Sequence, residues 1–319
     1  MLNRRILRIK AFKVLYSYAE NPGMTLREAE SQLELSCKAT RRLYLFMLSV
    51  IPAVTAEAAA RIEAARMKYN PTEAEKHPNM KFVNNAIAAN LSSDPDFQKI
   101  IAKEKLSWEQ YDVLIRKLYD SMCSKEYFSA YMADPKSTLR QDAGLFTRMF
   151  EEEFSDNDDL RDILEDLSIY WTDDLEYALS WCCRTMTSLS KGKPWALPEL
   201  YQSEMLPGED RESDKAFVTN LLRAAYAGYG EYSQMVASSV TQWDKDRLFV
   251  VDVVIIACAL AEARSFPEIP VKVTINEYVE ITKFYSTPKS RSFVNGLLDR
   301  LIQEMIQKGE IVKTGKGLL

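Results

Sequence analysis

Apolar residues recur at helical spacing along almost the whole chain, and this periodicity most limits how the sequence can fold. Leu7, Ala11, Val14, Leu15 and Tyr18 follow one another at the intervals of a buried helix face. Only 10 glycines and 12 prolines interrupt the 319 residues, fewer than the many tight turns of an all-β protein need. The sequence therefore predicts an all-α protein.

One stretch alternates like a strand, residues 269–275, but Thr274 and Glu277 have the spacing of a helical capping box. We therefore expect a helix to begin at Ile275. Prolines and glycines set the other limits. The expected helices are residues 2–19, 25–67 with a break near Pro52, 81–91, 108–132, 139–154, 160–189, 214–243, 275–285, and a last one opened by Pro288 and capped by Gly309.

The charge is unevenly distributed. Residues 1–13 hold five bases and no acid, residues 283–319 hold seven bases and three acids, and residues 151–176 hold twelve acids and one base. If the two termini meet, they form a patch suited to a polyanion. Solvated helix faces are the alternative.

The sequence offers little for catalysis. The five cysteines lack metal-ligand spacing and favour a reduced, cytoplasmic protein, and the one histidine, His77, lies in a polar loop. Glycine-rich phosphate loops and zinc-protease motifs are absent from the sequence. The apolar run at residues 249–261 is too short to span a bilayer. We therefore expect a non-enzyme with no metal, no cofactor and no membrane association.

A second stripe of the first helix carries Arg5, Arg8, Phe12 and Tyr16. Guanidinium groups bind phosphates and aromatic rings stack on unpaired bases, so this stripe suits single-stranded RNA. The alternative is that Phe12 and Tyr16 form the edge of the core.

An Asn-Gly pair, Asn295-Gly296, would be a hairpin signal between strands. Here the apolar positions on both sides keep helical spacing, so we expect a helix through it. A glycine inside a helix costs about 1 kcal/mol relative to alanine. We expect Gly296 to admit a close neighbouring helix and Asn295 to hydrogen-bond across that contact.

Four motifs resemble the NusB family of bacterial transcription antitermination factors. They are RRILRIKAFKVLYSY at 4–18, DRLFVVDVVIIACALAEA at 246–263, IPVKVTINEYVEITKFYS at 269–286 and SRSFVNGLLDRL at 290–301. The resemblance covers about 125 residues at the two ends and implies two packed helical subdomains, here enlarged by extra helices. The expected domains are residues 1–20, a first basic helix that packs with the C-terminal part; 21–210, a helical insertion or an expanded N-terminal subdomain; 211–310, the NusB-like C-terminal subdomain; and 311–319, a tail rich in lysine and glycine that we expect to be disordered.

The resemblance also implies a function. Family members bind the boxA segment of leader RNA, pair with the ribosomal protein NusE and help RNA polymerase to read through terminators, particularly in ribosomal RNA operons. No catalysis or cofactor is implied. The resemblance implies RNA contacts from Arg4, Arg5, Arg8, Tyr16, Lys289, Ser292 and Phe293, with Lys289 standing where family members often have an acid. Phe12, from the stripe on the first helix, completes the expected RNA-binding set.

Asp252 matches the acidic family position that faces NusE. Valines and an isoleucine surround it in the sequence, and an unpaired buried carboxylate costs several kcal/mol. The alternative to contact with NusE is therefore an internal salt bridge to Arg247 or Lys245. Asn276 and Asn295 match family asparagines, and we expect both to be buried and hydrogen-bonded. Glu277 is likewise expected to have a structural role.

Two other functions compete. A helical adaptor or ribosome-biogenesis protein would use the insertion to bind a protein partner through its acidic stretch. Some rRNA cytosine methyltransferases carry a NusB-like domain fused to a domain that binds S-adenosylmethionine, but this sequence lacks the glycine-rich loop of such a domain.

Overall fold

A computed structural model of the chain describes residues 1–154, 156–201, 213–240 and 249–318. The helices in chain order are α1 Arg4–Glu20, α2 Leu26–Leu48, α3 Val50–Arg66, α4 Glu73–Lys76, α5 Ala86–Ser93, α6 Pro95–Glu104, α7 Asp112–Ser124, α8 Glu126–Ala133, α9 Leu139–Glu152, α10 Asp158–Leu167, α11 Leu175–Leu189, α12 Asp214–Ser239, α13 Val250–Ser265, α14 Val271–Tyr285 and α15 Ser290–Gln307. Short 3₁₀ turns occupy Glu109–Tyr111 and Gly315–Leu318. The predicted all-α class is confirmed.

The chain forms two compact units. Unit 1 comprises Met1–Cys37 and Glu199–Leu319, and unit 2 comprises Lys38–Pro198. The domain boundaries expected from the sequence lie at residues 20/21 and 210/211 instead. Part of α2 therefore belongs to unit 1, while residues 202–212, which contain the second expected boundary, lie outside the described residues.

Unit 1 is built around α13, the apolar run that the sequence singled out. Its residues from Val254 to Ala261 are completely buried. They pack in one core cluster with side chains of α1, α12, α14 and α15, so the first helix lies among the C-terminal ones. This arrangement places the basic N-terminal helix in the same unit as the basic C-terminal segment.

Unit 2 has its own core. The ring of Phe46 stacks on Trp108 at 4.0 Å between centroids and on Trp171 at 5.5 Å. The indole of Trp171 donates to the carbonyl of Ala39 at 2.9 Å, so its polar atom is satisfied although the ring is buried. Asp142 is buried and accepts hydrogen bonds from the Ala86 amide and the Tyr131 hydroxyl, both at 2.8 Å.

Two expectations about helix starts were wrong. Helix α14 begins at Val271 behind Pro270, and Thr274 does not cap it but donates to Glu262 of α13. No helix was expected between residues 91 and 108, where α6 lies, because Pro95 is typical of a helix break. Proline is well suited to the first helical position, and Asp94 caps that helix by accepting from the Phe97 amide.

The predicted last helix is confirmed, with Asn295-Gly296 inside α15 and Gly309 beyond its end at φ +72°. The expected close helix contact at Gly296 is not seen, because Gly296 is exposed and no atom of the described residues lies within 4 Å of where its Cβ would stand. The expected end of the preceding helix at Trp243 lies outside the described residues, and α12 is described to Ser239.

The C-terminal segment also differs from the disordered tail that was expected. Ile311 is buried, the Thr314 amide donates to the Pro267 carbonyl at 3.1 Å, and Lys313 Nζ donates to the Phe266 carbonyl at 3.0 Å. Residues 311–318 thus pack on the loop between α13 and α14. The local sequence, rich in lysine and glycine, gave no sign of this docking.

The helical run Leu26–Arg66 is long and apolar enough to cross a membrane by length and composition alone. More than half of its most apolar window is buried inside the protein, as in a core helix.

Gly296 and Gly317 should respond oppositely to substitution by alanine. We expect Gly296→Ala to raise the free energy of unfolding by up to about 1 kcal/mol, because it removes the cost of a helical glycine at an open site. Gly317→Ala should lower it, because the new Cβ would overlap the backbone carbonyl of Pro267. Urea unfolding of both variants tests this, and a Gly296→Ala variant less stable than wild type would contradict the open environment seen at α15.

Candidate nucleic-acid interface

The predicted RNA-binding stripe of α1 is divided between an inner and an outer side. Arg8 is only 4 % exposed, and its Nε and Nη2 donate to the two carboxylate oxygens of Glu262 at 2.7 and 2.9 Å. Glu262 is completely buried and also accepts from the hydroxyls of Thr274 at 2.9 Å and Tyr278 at 3.4 Å. Arg8 therefore holds α1 against α13, a structural role that leaves its guanidinium closed to RNA.

The side chains of Arg4 and Phe12 also contact other helices of unit 1. Arg4 forms an ion pair with Asp214 of α12 at 3.2 Å, and its guanidinium lies 4.7 Å from the ring centre of Phe217. Phe12 is 3 % exposed and packs against Tyr285 of α14 at 5.3 Å. For Phe12, the core interpretation is the one that the structure favours.

The outer side of α1 carries the accessible groups. Arg5 is exposed and makes a two-pronged pair with Glu277 of α14, at 2.9 and 2.7 Å. Lys13 Nζ lies 5.3 Å from the ring centre of Tyr285, and Tyr16 is 38 % exposed. This edge of α1 therefore adjoins α14 and presents two cations and an aromatic ring.

The charges of cations on three helices act on one carboxylate. The pKa of the Glu280 carboxyl is lowered first by a hydrogen bond from Lys283 and further by the charges of Lys283, Arg291 and Arg5. Arg5 in turn lowers the pKa of Glu277 through its hydrogen bonds. The N-terminal helix, the end of α14 and the start of α15 thus meet. We call the exposed groups there the basic surface, consisting of Arg5, Tyr16, Lys283, Phe284, Lys289 and Arg291.

The residues predicted around the start of α15 are divided as well. Lys289 and Ser292 are exposed, while Phe293 is half-buried and packs against the core cluster of unit 1. Asn276 and Asn295 were expected to be buried, and both are exposed. Glu277 is half-buried, and its role is to pair with Arg5 and, at 3.7 Å, with Arg8.

Asp252 has an internal role. It is 1 % exposed and accepts hydrogen bonds from Ser286 Oγ at 2.6 Å and Ser290 Oγ at 2.8 Å. Its carboxylate thereby fixes the turn between α14 and α15 rather than facing a partner directly. The two cations considered as salt-bridge partners, Lys245 and Arg247, lie outside the described residues.

Sequence reasoning did not select Lys283, Phe284 or Arg291. The signal for Phe284 was present, because an aromatic residue off the apolar face of a helix points to solvent. The joint effect of Arg291 and Arg5 on Glu280 had no sequence signal, since 286 positions separate the two arginines and only packing brings both towards that carboxylate. Among the described residues, no group of three or more His, Cys, Asp or Glu side chains could hold a metal ion.

Comparison with known proteins identifies the class to which this helical fold belongs. A family model described as "NusB family" matches residues 186–303, from the end of α11 through most of α15. Proteins called transcription antitermination protein NusB are similar to about a third of the chain. The one from Salinibacter ruber is 32 % identical over 114 residues, which are 36 % of this chain and 71 % of that protein.

Two further relatives of that name agree. The protein from Chloroherpeton thalassium is 34 % identical over 105 residues, 33 % of this chain and 50 % of its own length. The protein from Thermodesulfovibrio yellowstonii is 34 % identical over 99 residues, 31 % of this chain and 66 % of its own length. No solved structure matches the chain. The chain belongs to the NusB family, and the resemblance inferred from its motifs is confirmed.

The Arg8–Glu262 pair should contribute far more to the free energy of unfolding than the Arg5–Glu277 pair. Arg8→Met leaves the buried Glu262 carboxylate without its cation, and we expect it to lower the free energy of unfolding by about 3–5 kcal/mol. Arg5→Met, the matched control on the same helix, should cost about 1 kcal/mol or less because that pair is solvated. The double variant Arg8→Met/Glu262→Leu should recover part of the loss. Equal effects of the two single variants in urea unfolding would contradict this difference.

The buried Asp252 should make stability depend on pH. Burial raises the pKa of its carboxyl above the ordinary value, despite the opposing hydrogen bonds from Ser286 and Ser290. Between the ordinary and the raised pKa the folded state binds more protons than the unfolded state, so this group makes stability fall as pH rises through that interval. Asp252→Asn removes this slope.

We therefore expect the stability of Asp252→Asn relative to wild type to increase from about pH 4 towards neutrality. The exposed Asp299→Asn on α15 is the control. Chemical unfolding at a series of pH values measures the difference. The opposite result, a loss of stability of Asp252→Asn relative to wild type towards neutral pH, would contradict this prediction. It would mean that the hydrogen bonds from Ser286 and Ser290 stabilise the ionised carboxylate by more than its burial destabilises it.

Proposed function

We propose that this protein is an RNA-binding transcription antitermination factor of NusB type. The observation that carries the proposal is the basic surface, which combines cations and exposed aromatic rings from α1, α14 and α15 in the unit that contains most of the family match. Relatives that match about a third of the chain are named transcription antitermination proteins. The protein acts in the cytoplasm, as its relatives' role in transcription requires.

The chemistry of the basic surface suits a single strand of RNA. Arg5, Lys289 and Arg291 can contact successive phosphates, while Tyr16 offers a face for an unpaired base. Residues 281–298 contain three cations and no acid, so a phosphate backbone meets little repulsion there. The inward orientation of Arg8 and Phe12 keeps the two ends of the chain together and so maintains the surface.

The RNA is a boxA-like segment, bound together with NusE, and the complex joins RNA polymerase to support transcription of ribosomal RNA operons. The resemblance of the four motifs supports these partners. Asp252 contributes by holding the turn from Ser286 to Ser290, so a partner near this turn would depend on Asp252 without touching its carboxylate.

Arg5 should be an RNA ligand and Arg264 should not. Both are exposed arginines of unit 1 that pair with a glutamate, Arg5 with Glu277 and Arg264 with Glu231. We expect Arg5→Ala to weaken binding of boxA-like RNA and to reduce the slope of log affinity against log salt by about 0.7–1, because one phosphate contact is lost. Arg264→Ala should leave both quantities unchanged. Titrations of the purified protein with NusE at several salt concentrations measure the two effects.

Two results would contradict the proposal. Equal effects of Arg5→Ala and Arg264→Ala would show that the basic surface is not where RNA binds. Absence of salt-sensitive RNA binding by the wild-type protein with NusE would favour the adaptor function, in which unit 2 binds a protein partner. The large share of the chain outside the family match makes that function the second candidate.

A further inference from the structure

Phe284 is an apolar ring left in solvent beside Lys283 of the basic surface. It lies in the last turn of α14 and is 76 % exposed. Burying a phenylalanine side chain contributes about 1.5–3 kcal/mol, so this ring contributes little to folding. A single exposed apolar residue is common on proteins, however, and its surroundings must decide whether it has a function.

Exposed cations flank Phe284 in the sequence. Lys283 precedes it, and Lys289 and Arg291 follow after a short turn whose residues Thr287 and Pro288 are exposed. The nearest acid before it, Glu280, is paired with Lys283, and no acid follows until Asp299. An apolar protein partner would have to bury these charges, whereas a polyanion that also carries aromatic rings would be attracted to both.

The structure fixes the backbone that carries Phe284 before any ligand arrives. Its neighbour Tyr285 turns inward and packs against Phe12 at 5.3 Å, which fixes how the last turn of α14 faces. The Ser286 amide donates to the Thr282 carbonyl at 3.0 Å, and Ser286 and Ser290 bind the buried Asp252 carboxylate. When a flat ligand stacks on this ring, the backbone is already ordered and only the side chain loses conformational freedom.

We propose that Phe284 is a stacking site for one unpaired base of the bound RNA, with phosphates on either side held by Lys283 and Lys289. This inference rests on the proposed function and adds to it a contact that reads base exposure rather than charge. Because every base has a flat face, the site tolerates sequence but rejects a base that is paired in a duplex.

The test separates stacking from simple hydrophobic contact. Phe284→Leu keeps an apolar side chain but removes the aromatic face, and Phe284→Trp keeps that face. We expect Phe284→Leu to weaken binding of single-stranded boxA-like RNA about 5- to 150-fold, with an unchanged salt slope, and Phe284→Trp to retain wild-type affinity. Tyr69→Leu is the control, since Tyr69 is 98 % exposed in unit 2 beside Lys68.

A series of RNAs with one abasic position each then locates the contact. At one position, loss of the base should weaken binding to wild type but not further weaken binding to Phe284→Leu. Equal affinity of Phe284→Leu and wild type, or additive losses at every abasic position, would overturn the stacking site while leaving RNA binding intact. If Arg5→Ala also has no effect, or the wild type binds no RNA, the proposed function itself fails.

Discussion

The buried ion pair between Arg8 and Glu262 is the interaction on which the rest of unit 1 depends. It joins the first helix to α13, and the hydroxyls of Thr274 and Tyr278 bring α14 to the same carboxylate. A buried charge pair is stable only when its remaining polar atoms are satisfied, and this one has four donors around Glu262. It also specifies how α1 is rotated, because turning the helix would leave a charge buried without its partner.

That rotation creates the basic surface. With Arg8 and Phe12 fixed inward, Arg5 and Tyr16 must lie on the outer edge of the same helix, beside α14. The glutamates paired with Arg5 and Lys283 keep the cations oriented in the free protein. A phosphate that binds there exchanges one anion for another at the arginine, so the gain in affinity comes largely from released counterions and stacked bases.

Local sequence patterns predicted most of the helices, because apolar periodicity and the residue preferences at helix ends act over a few residues. They failed where distant contacts override local rules. Thr274 has the spacing of a cap but is recruited by Glu262, twelve residues back in a neighbouring helix. Gly296 looked like a packing site, yet it faces solvent because α15 buries the side that carries Val294, Leu297 and Leu298.

The sequence by itself determined the all-α class, the family and the stripe of arginine and aromatic residues on the first helix, since each is encoded within a few turns of chain. Only the tertiary structure decided which of those residues are accessible. Arg5 and Arg8 are one helical turn apart and chemically identical, but Glu262 is buried whereas Glu277 lies near the surface. The difference between a structural arginine and a candidate RNA ligand therefore depends on residues more than 250 positions away.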